Sequence, residues 1–177
     1  MTDSVRLADP LDAVERIPPG WGLVLRHYDA PDRASLAAAT VQAGHARGIV
    51  VLIGADPDLA RRTGADGVHI PEGLAASGRI LINDLRHLAL VSAAAHGAAG
   101  LRTAARLGAD IVMLSPVHAT KSHPTATPLG RMRFAALAQS SAAPVIALGG
   151  INLADHETLR ALGAHGLAGI GFLEALE

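Results

Sequence analysis

Residues 144–152 read PVIALGGIN, and a helix-length interval later residues 166–171 read GLAGIG. Each stretch is a short apolar run that ends among closely spaced glycines. Apolar runs without polar alternation are expected of parallel strands covered on both faces. Glycines at the ends of such strands leave bare main-chain N–H groups that an anion can approach. In a β/α barrel, the loops after the last two strands form a phosphate site in this way. Gly149, Gly150, Ile170 and Gly171 are therefore candidate phosphate-binding positions. The pairing of the two clusters favours a barrel over its rival, an open doubly wound sheet.

The same rhythm runs upstream. Short apolar segments alternate with longer Ala- and Leu-rich stretches that begin near Asp, Ser, Asn or Pro and close at Gly, the pattern of β-α units. Strands are expected at 22–26, 49–53, 67–70, 88–92, 111–115, 145–148 and 167–170, seven in all. Three helix-to-strand junctions look alike: Gly64-Ala65-Asp66, Gly108-Ala109-Asp110 and Gly163-Ala164-His165. Glycine past a helix end accepts the left-handed conformation, so the repeat reads as turn geometry. A dinucleotide-binding sheet would carry G-x-G-x-x-G between its first strand and helix, and no such motif stands there.

The chain has 177 residues, 50% of them hydrophobic, which suits one domain spanning 1–177. Fifteen Lys and Arg against sixteen Asp and Glu leave a net charge of −1, and only four residues are aromatic. A basic face with stacking aromatics, and with it a nucleic-acid partner, is disfavoured. No cysteine is present, so disulfides, thiolate catalysis and sulfur-rich zinc sites drop out. The start TDSVRLADPLDAVER lacks an apolar signal core, and no apolar run reaches membrane-spanning length. A soluble, cytoplasmic protein without a membrane partner is the expectation.

Between Ser115 and Gly130 runs the long polar segment SPVHATKSHPTATPLG. A loop of that length in so short a chain is more often functional than idle. Thr120, Lys121, Ser122 and His123 supply donors for an anionic substrate. Of the nine histidines, none forms the H-E-x-x-H pattern of a helical zinc site, and no metal ligands are assigned. His69 at a strand end and His96 just after one are placed to face a barrel mouth, where an imidazole can act as acid or base. His27, His45, His87, His156 and His165 read as surface or junction residues.

The order GADGVH at 64–69, GADIVMLSPVHATKSH at 108–123 and PVIALGGIN at 144–152 resembles the thiamine phosphate synthase/TenI family, from Trp21 onward. The resemblance implies a TIM barrel acting on thiazole phosphate. The family's synthases join that compound to a pyrimidine pyrophosphate with Mg2+, while TenI-like members tautomerise the thiazole. By the same resemblance Thr120 and Ser122 fall on two threonines of the loop after the family's sixth strand. Gly149 and Gly150 fall on its phosphate-binding glycines, and Arg26 on the arginine of its Q-x-R-x-K motif, with Val24 and Tyr28 at the flanking positions.

The pyrophosphate and metal half departs from the pattern. Gly54-Ala55 stand where the family has Asn-Asp, His69-Ile70-Pro71-Glu72-Gly73 replace its H-x-G-Q segment with the following Asp, His123 replaces the loop lysine and Ala94 a serine. The family's first strand ends in Thr-Asp, which places Met1, Thr2 and Asp3 in its last turn, through a misassigned start or a genuine loss. Seven strands then remain, and the gap is left unpaired unless the N-terminus or a partner covers it. Homo-oligomerisation is a separate expectation.

The expected function is therefore a thiazole-phosphate-binding barrel of thiamine biosynthesis. It is a tautomerase with His69, His96 and His123 as catalytic candidates, or a synthase if Mg2+ chemistry is retained; the tautomerase needs no cofactor. The competing class is a non-catalytic phosphate-ligand-binding or regulatory protein.

Overall fold

The computed structural model describes residues 1–2, 7–120 and 125–172. Seven strands, β1 (Gly22–Leu25), β2 (Val50–Gly54), β3 (Gly67–Ile70), β4 (Leu90–Ala95), β5 (Ile111–Leu114), β6 (Val145–Leu148) and β7 (Gly166–Ala168), form one sheet. Every neighbouring pair is parallel, and the spatial order is the sequence order, β1 through β7. A doubly wound sheet must reverse its strand order at a switch point. This sheet never does so; it curls into a TIM-type barrel that is open between β1 and β7. All seven expected strands are present, the fourth shifted to begin at Leu90.

Two-residue periodicity divides each strand between two cores. Leu23, Leu25, Val51, Ile53, Val68 and Ile70 lie on the outer face under the helices, in a cluster that also holds Phe134 and Leu159. Val24, Leu52 and Met113 point inward, with Leu90, Ile146 and Leu148 beside them. Because both faces are apolar, the strands could not alternate polar and apolar residues, which is why they read as continuous runs.

The helices α1 (Pro10–Arg16), α2 (Arg33–Ala46), α3 (Pro57–Thr63), α4 (Glu72–Ala76), α5 (Ile82–Leu85), α6 (Ala98–Arg106), α7 (Gly130–Ser140) and α8 (His156–Ala161) cover the outside. Asp56 caps α3, its Oδ1 accepting from Leu59 N at 2.8 Å. Asp84 lies inside α5 and accepts from Leu81 N at 2.8 Å, capping from the third helical position.

The repeated junctions carry more than turn geometry. Gly64, Gly108 and Gly163 all have positive φ, as expected. The next-but-one residue then ties the turn to the adjacent strand. Asp66 Oδ2 accepts from Val51 N and Asp110 Oδ2 from Val91 N, each at 2.7 Å, while Asp66 N and Asp110 N donate back to the same residues' carbonyls. At the third junction His165 N donates to Val145 O at 2.7 Å.

Candidate functional site

The C-terminal ends of the strands surround a mouth cavity of about 940 Å³. In a barrel this is the face where ligands bind, because successive loops converge there. Gly149 and Gly150 line one part of its rim, and Ile170 and Gly171 also line it, so the two late glycine clusters share one cavity. Gly150 has φ +67°, and a Cβ there would collide with Ala119 O and lie 2.7 Å from His118 O. Its conformation and its contact with the long loop therefore both require glycine.

Arg26, at the end of β1, and Thr120, in the loop after β5, line the same cavity, as do Thr125 and Thr127 farther along that loop. Ser122 and His123 lie outside the described residues. Arg26 N donates to Thr2 Oγ1 at 2.8 Å, which anchors the strand end to the N-terminal residues.

Three histidines at or directly after the C-terminal ends of strands differ. His27, expected at a surface or junction, is buried, with its ring nitrogens 3.1 Å from Thr2 Oγ1 and 3.0 Å from Ala8 O. His69 forms part of the cavity floor, 3% exposed, with Nδ1 2.7 Å from Ser92 Oγ. Burial first, and then the Arg26 guanidinium, push its pKa down to about 4, so this ring is neutral through the neutral range.

His96 stands in the wall with its side chain half exposed. Its Nδ1 is 2.8 Å from Ser115 O, and since a carbonyl only accepts, Nδ1 carries the proton. Nε2 is thereby directed at Glu72 Oε2, 3.6 Å away.

Glu72 was missed as a partner of His96 because the two are far apart in sequence. One signal was available: Gly100 interrupts an Ala-rich helical run, a costly choice in a helix. The structure supplies the reason. A Cβ at Gly100 would collide with Glu72 Oε1, so glycine there lets the carboxylate fold under the first turn of α6.

At the β1–β2 side, Tyr28 packs on Gly54, where a Cβ would lie 3.0 Å from the Tyr28 ring. Arg33 sits 5.7 Å above that ring, donates to Gly54 O at 2.5 Å and pairs with Asp56 Oδ2 at 3.3 Å. A hard Mg2+ ion needs convergent oxygen donors. Gly54 and Ala55 bring no side-chain oxygen, Asp56 is committed to Leu59 and Arg33, and Glu72 is paired with His96. Among the described residues no three His, Asp or Glu side chains converge. The described residues at these positions do not fit the ion.

No helix among the described residues is long and apolar enough to cross a membrane. The fold and this mouth define a TIM-type α/β barrel with a small-molecule-sized site at the strand ends. The thiamine monophosphate synthase family matches residues 9–173, and the chain belongs to that family.

Among its relatives, a "Putative thiamine-phosphate synthase" of Geobacter sulfurreducens is 37% identical over 149 residues, covering 81% of this chain and 68% of that protein. The "Thiamine-phosphate synthase" of Myxococcus xanthus is 34% identical over 146 residues, covering 80% of this chain and 66% of that one. The chain thus spans about two thirds of the length of these relatives. A solved structure, the "Thiamine phosphate pyrophosphorylase from Pyrococcus furiosus", superposes with a TM-score of 0.71 at 19% identity, over 94% of this chain and 80% of that one. That likeness bears on the fold.

Proposed function

We propose that this protein binds thiazole phosphate or a close analogue in the barrel mouth and interconverts tautomers of its ring, as part of thiamine biosynthesis. The phosphate lies against the main-chain N–H groups of Gly150 and Gly171, with Arg26 and Thr120 as further donors. In a tautomer shift a proton leaves one ring atom and another returns elsewhere, with no net oxidation and no leaving group. Glu72 takes and returns that proton, and His96, held by Ser115, shares it across the Nε2–Oε2 contact. His69, neutral at working pH, gives the ligand a fixed hydrogen-bonding group. His123 remains a further acid–base candidate.

The observation that carries this reading is the Glu72–His96 pair, which opens on the same cavity as both glycine clusters. The synthase reaction is the second reading, favoured by the names of the relatives. It requires neutralising a pyrophosphate leaving group, and the lack of side-chain oxygens at Gly54 and Ala55 counts against it.

The deciding experiment follows thiazole phosphate by NMR in deuterated buffer, alone and then with the pyrimidine pyrophosphate and Mg2+. Deuterium exchange and tautomer interconversion without additions support the proposal. Product only with both additions supports the synthase, and binding without turnover supports a non-catalytic phosphate-ligand protein.

A further inference from the structure

Of the four Trp, Tyr and Phe residues in the chain, the fold brings one to the mouth. Phe134 and Phe172 are buried, and Trp21 stands just before β1, at the far end of that strand from the mouth. Tyr28, three residues past the end of β1, lines the cavity and is 40% exposed. Exposure alone is ordinary for a tyrosine. What sets this ring apart is the way it is fixed.

Gly54, the last residue of β2, lies so close that a Cβ there would come within 3.0 Å of Tyr28 Cε1 and 3.1 Å of its Oη. A larger residue would push the ring away. The Arg33 guanidinium stands over the ring, 5.7 Å from its centroid, within the range of cation–π attraction. Arg33 is itself tied down, because it donates to Gly54 O at 2.5 Å and pairs with Asp56 Oδ2 at 3.3 Å, while Asp56 Oδ1 accepts from Leu59 N. The protein thus occupies one face and one edge of the ring. The exposed remainder borders the mouth as a flat apolar surface whose direction is set in advance, which lowers the ordering cost of any ligand that lies on it.

We propose that Tyr28 is a ring platform: the mouth takes a phosphate monoester that carries a flat aromatic or heteroaromatic ring, and this ring stacks on the free face of Tyr28. The proposal rests on the reading of the glycine rim as a phosphate site and adds the group that selects the other end of the ligand. A phosphate ion fills little of a cavity of about 940 Å³, whereas a cavity of that size suits a larger organic ligand. Stacking also suits a site that moves protons. It holds a ring by its face, whichever ring atom carries the proton, so tautomers exchange without release. By comparison with stacked nucleobases, removing such a platform should weaken binding by roughly 5- to 150-fold.

The probes are phenyl phosphate, ethyl phosphate and inorganic phosphate, titrated calorimetrically into the protein, Tyr28→Phe and Tyr28→Leu. Phenyl phosphate should bind at least about tenfold more tightly than ethyl phosphate, or ~1.4 kcal/mol. Its ring protons should move upfield in NMR spectra, under the ring current of Tyr28. Tyr28→Phe should keep both effects, and Tyr28→Leu should lose both while binding inorganic phosphate as before. A phenyl preference undiminished in Tyr28→Leu overturns the proposal, as does its loss in Tyr28→Phe, which would assign the contact to the hydroxyl. Equal weakening of all three ligands in Tyr28→Leu also overturns it, by reducing Tyr28 to a support of the mouth, and so does the absence of binding by either ester. Turnover of thiazole phosphate by the same variants separates the two readings. A phenyl preference without turnover leaves the platform and removes the tautomerase, and turnover unaffected by Tyr28→Leu removes the platform and leaves the tautomerase.

Discussion

Glu72 Oε2 lies 3.6 Å from His96 Nε2, and the opposite side of the imidazole is fixed by Ser115 O. The carboxylate and the ring are brought together by α4 and the end of β4. If this pair moves the proton, Glu72→Gln should lower kcat for tautomer interconversion by about 10²–10⁴-fold, the range of general acid–base catalysis. KM should change little, because the phosphate is held elsewhere. A variant that loses phosphate binding in equal measure would place Glu72 in ligand binding instead.

Replacing Gly150 by Ala should be costly twice over. The left-handed backbone carries a strain of about 1–3 kcal/mol for a non-glycine residue, and the added Cβ meets Ala119 O. Inorganic phosphate should bind at least about tenfold more weakly, a loss of ~1.4 kcal/mol. Calorimetric titration of a variant whose circular dichroism is unchanged checks this, and unaltered affinity would reduce the glycine to turn geometry.

His69 makes stability depend on pH with a definite sign. Its folded pKa, about 4, lies below the ordinary value of 6.5, so the unfolded chain takes up a proton first as pH falls. The stability associated with the neutral ring is complete above about pH 6.5 and is lost as pH drops toward 4. By linkage the loss reaches about 3 kcal/mol at pH 4. Urea unfolding of the protein and of His69→Asn at pH 7 and pH 4.5 measures it, and the variant should show the smaller difference between the two.

Mg2+ should not tighten pyrophosphate binding. Asp56 is occupied by Leu59 N and Arg33, and the positions before it have no side-chain oxygen. Titrating pyrophosphate with and without millimolar Mg2+ should give the same affinity within about twofold, or roughly 0.4 kcal/mol. Marked tightening that disappears in Glu72→Gln or Asp56→Asn would restore a metal site with relocated ligands.

Asp110→Ala should destabilise the fold by about 1–3 kcal/mol, since it removes the acceptor of the Val91 N–H at a part-buried position. Asp66→Ala should act similarly through Val51. Thermal unfolding of the two single variants and the double variant tests this. The effects should add, because the junctions serve different strands.

The sequence by itself determined the seven strands and their parallel pairing, because a run such as Val51-Leu52-Ile53 or Ile111-Val112-Met113-Leu114 is apolar on both faces and can settle only between two apolar layers. It also determined the turns at Gly64, Gly108 and Gly163, where only left-handed backbone returns the chain to the sheet so quickly. The late glycine clusters at 149–150 and 169–171 were legible as a pair for the same local reason.

Tertiary structure alone decided which side chains meet. Glu72 and His96 are 24 positions apart, and their contact exists because β3 and β4 are neighbours and Gly100 leaves room beneath α6. His27 read as a surface or junction residue until Thr2 and Ala8 closed over it, and Asp66 and Asp110 read as turn residues until the adjacent strands presented Val51 N and Val91 N. Local propensity acts over a few bonds. A site is assembled by strand order and packing, which bring together residues that no local pattern connects.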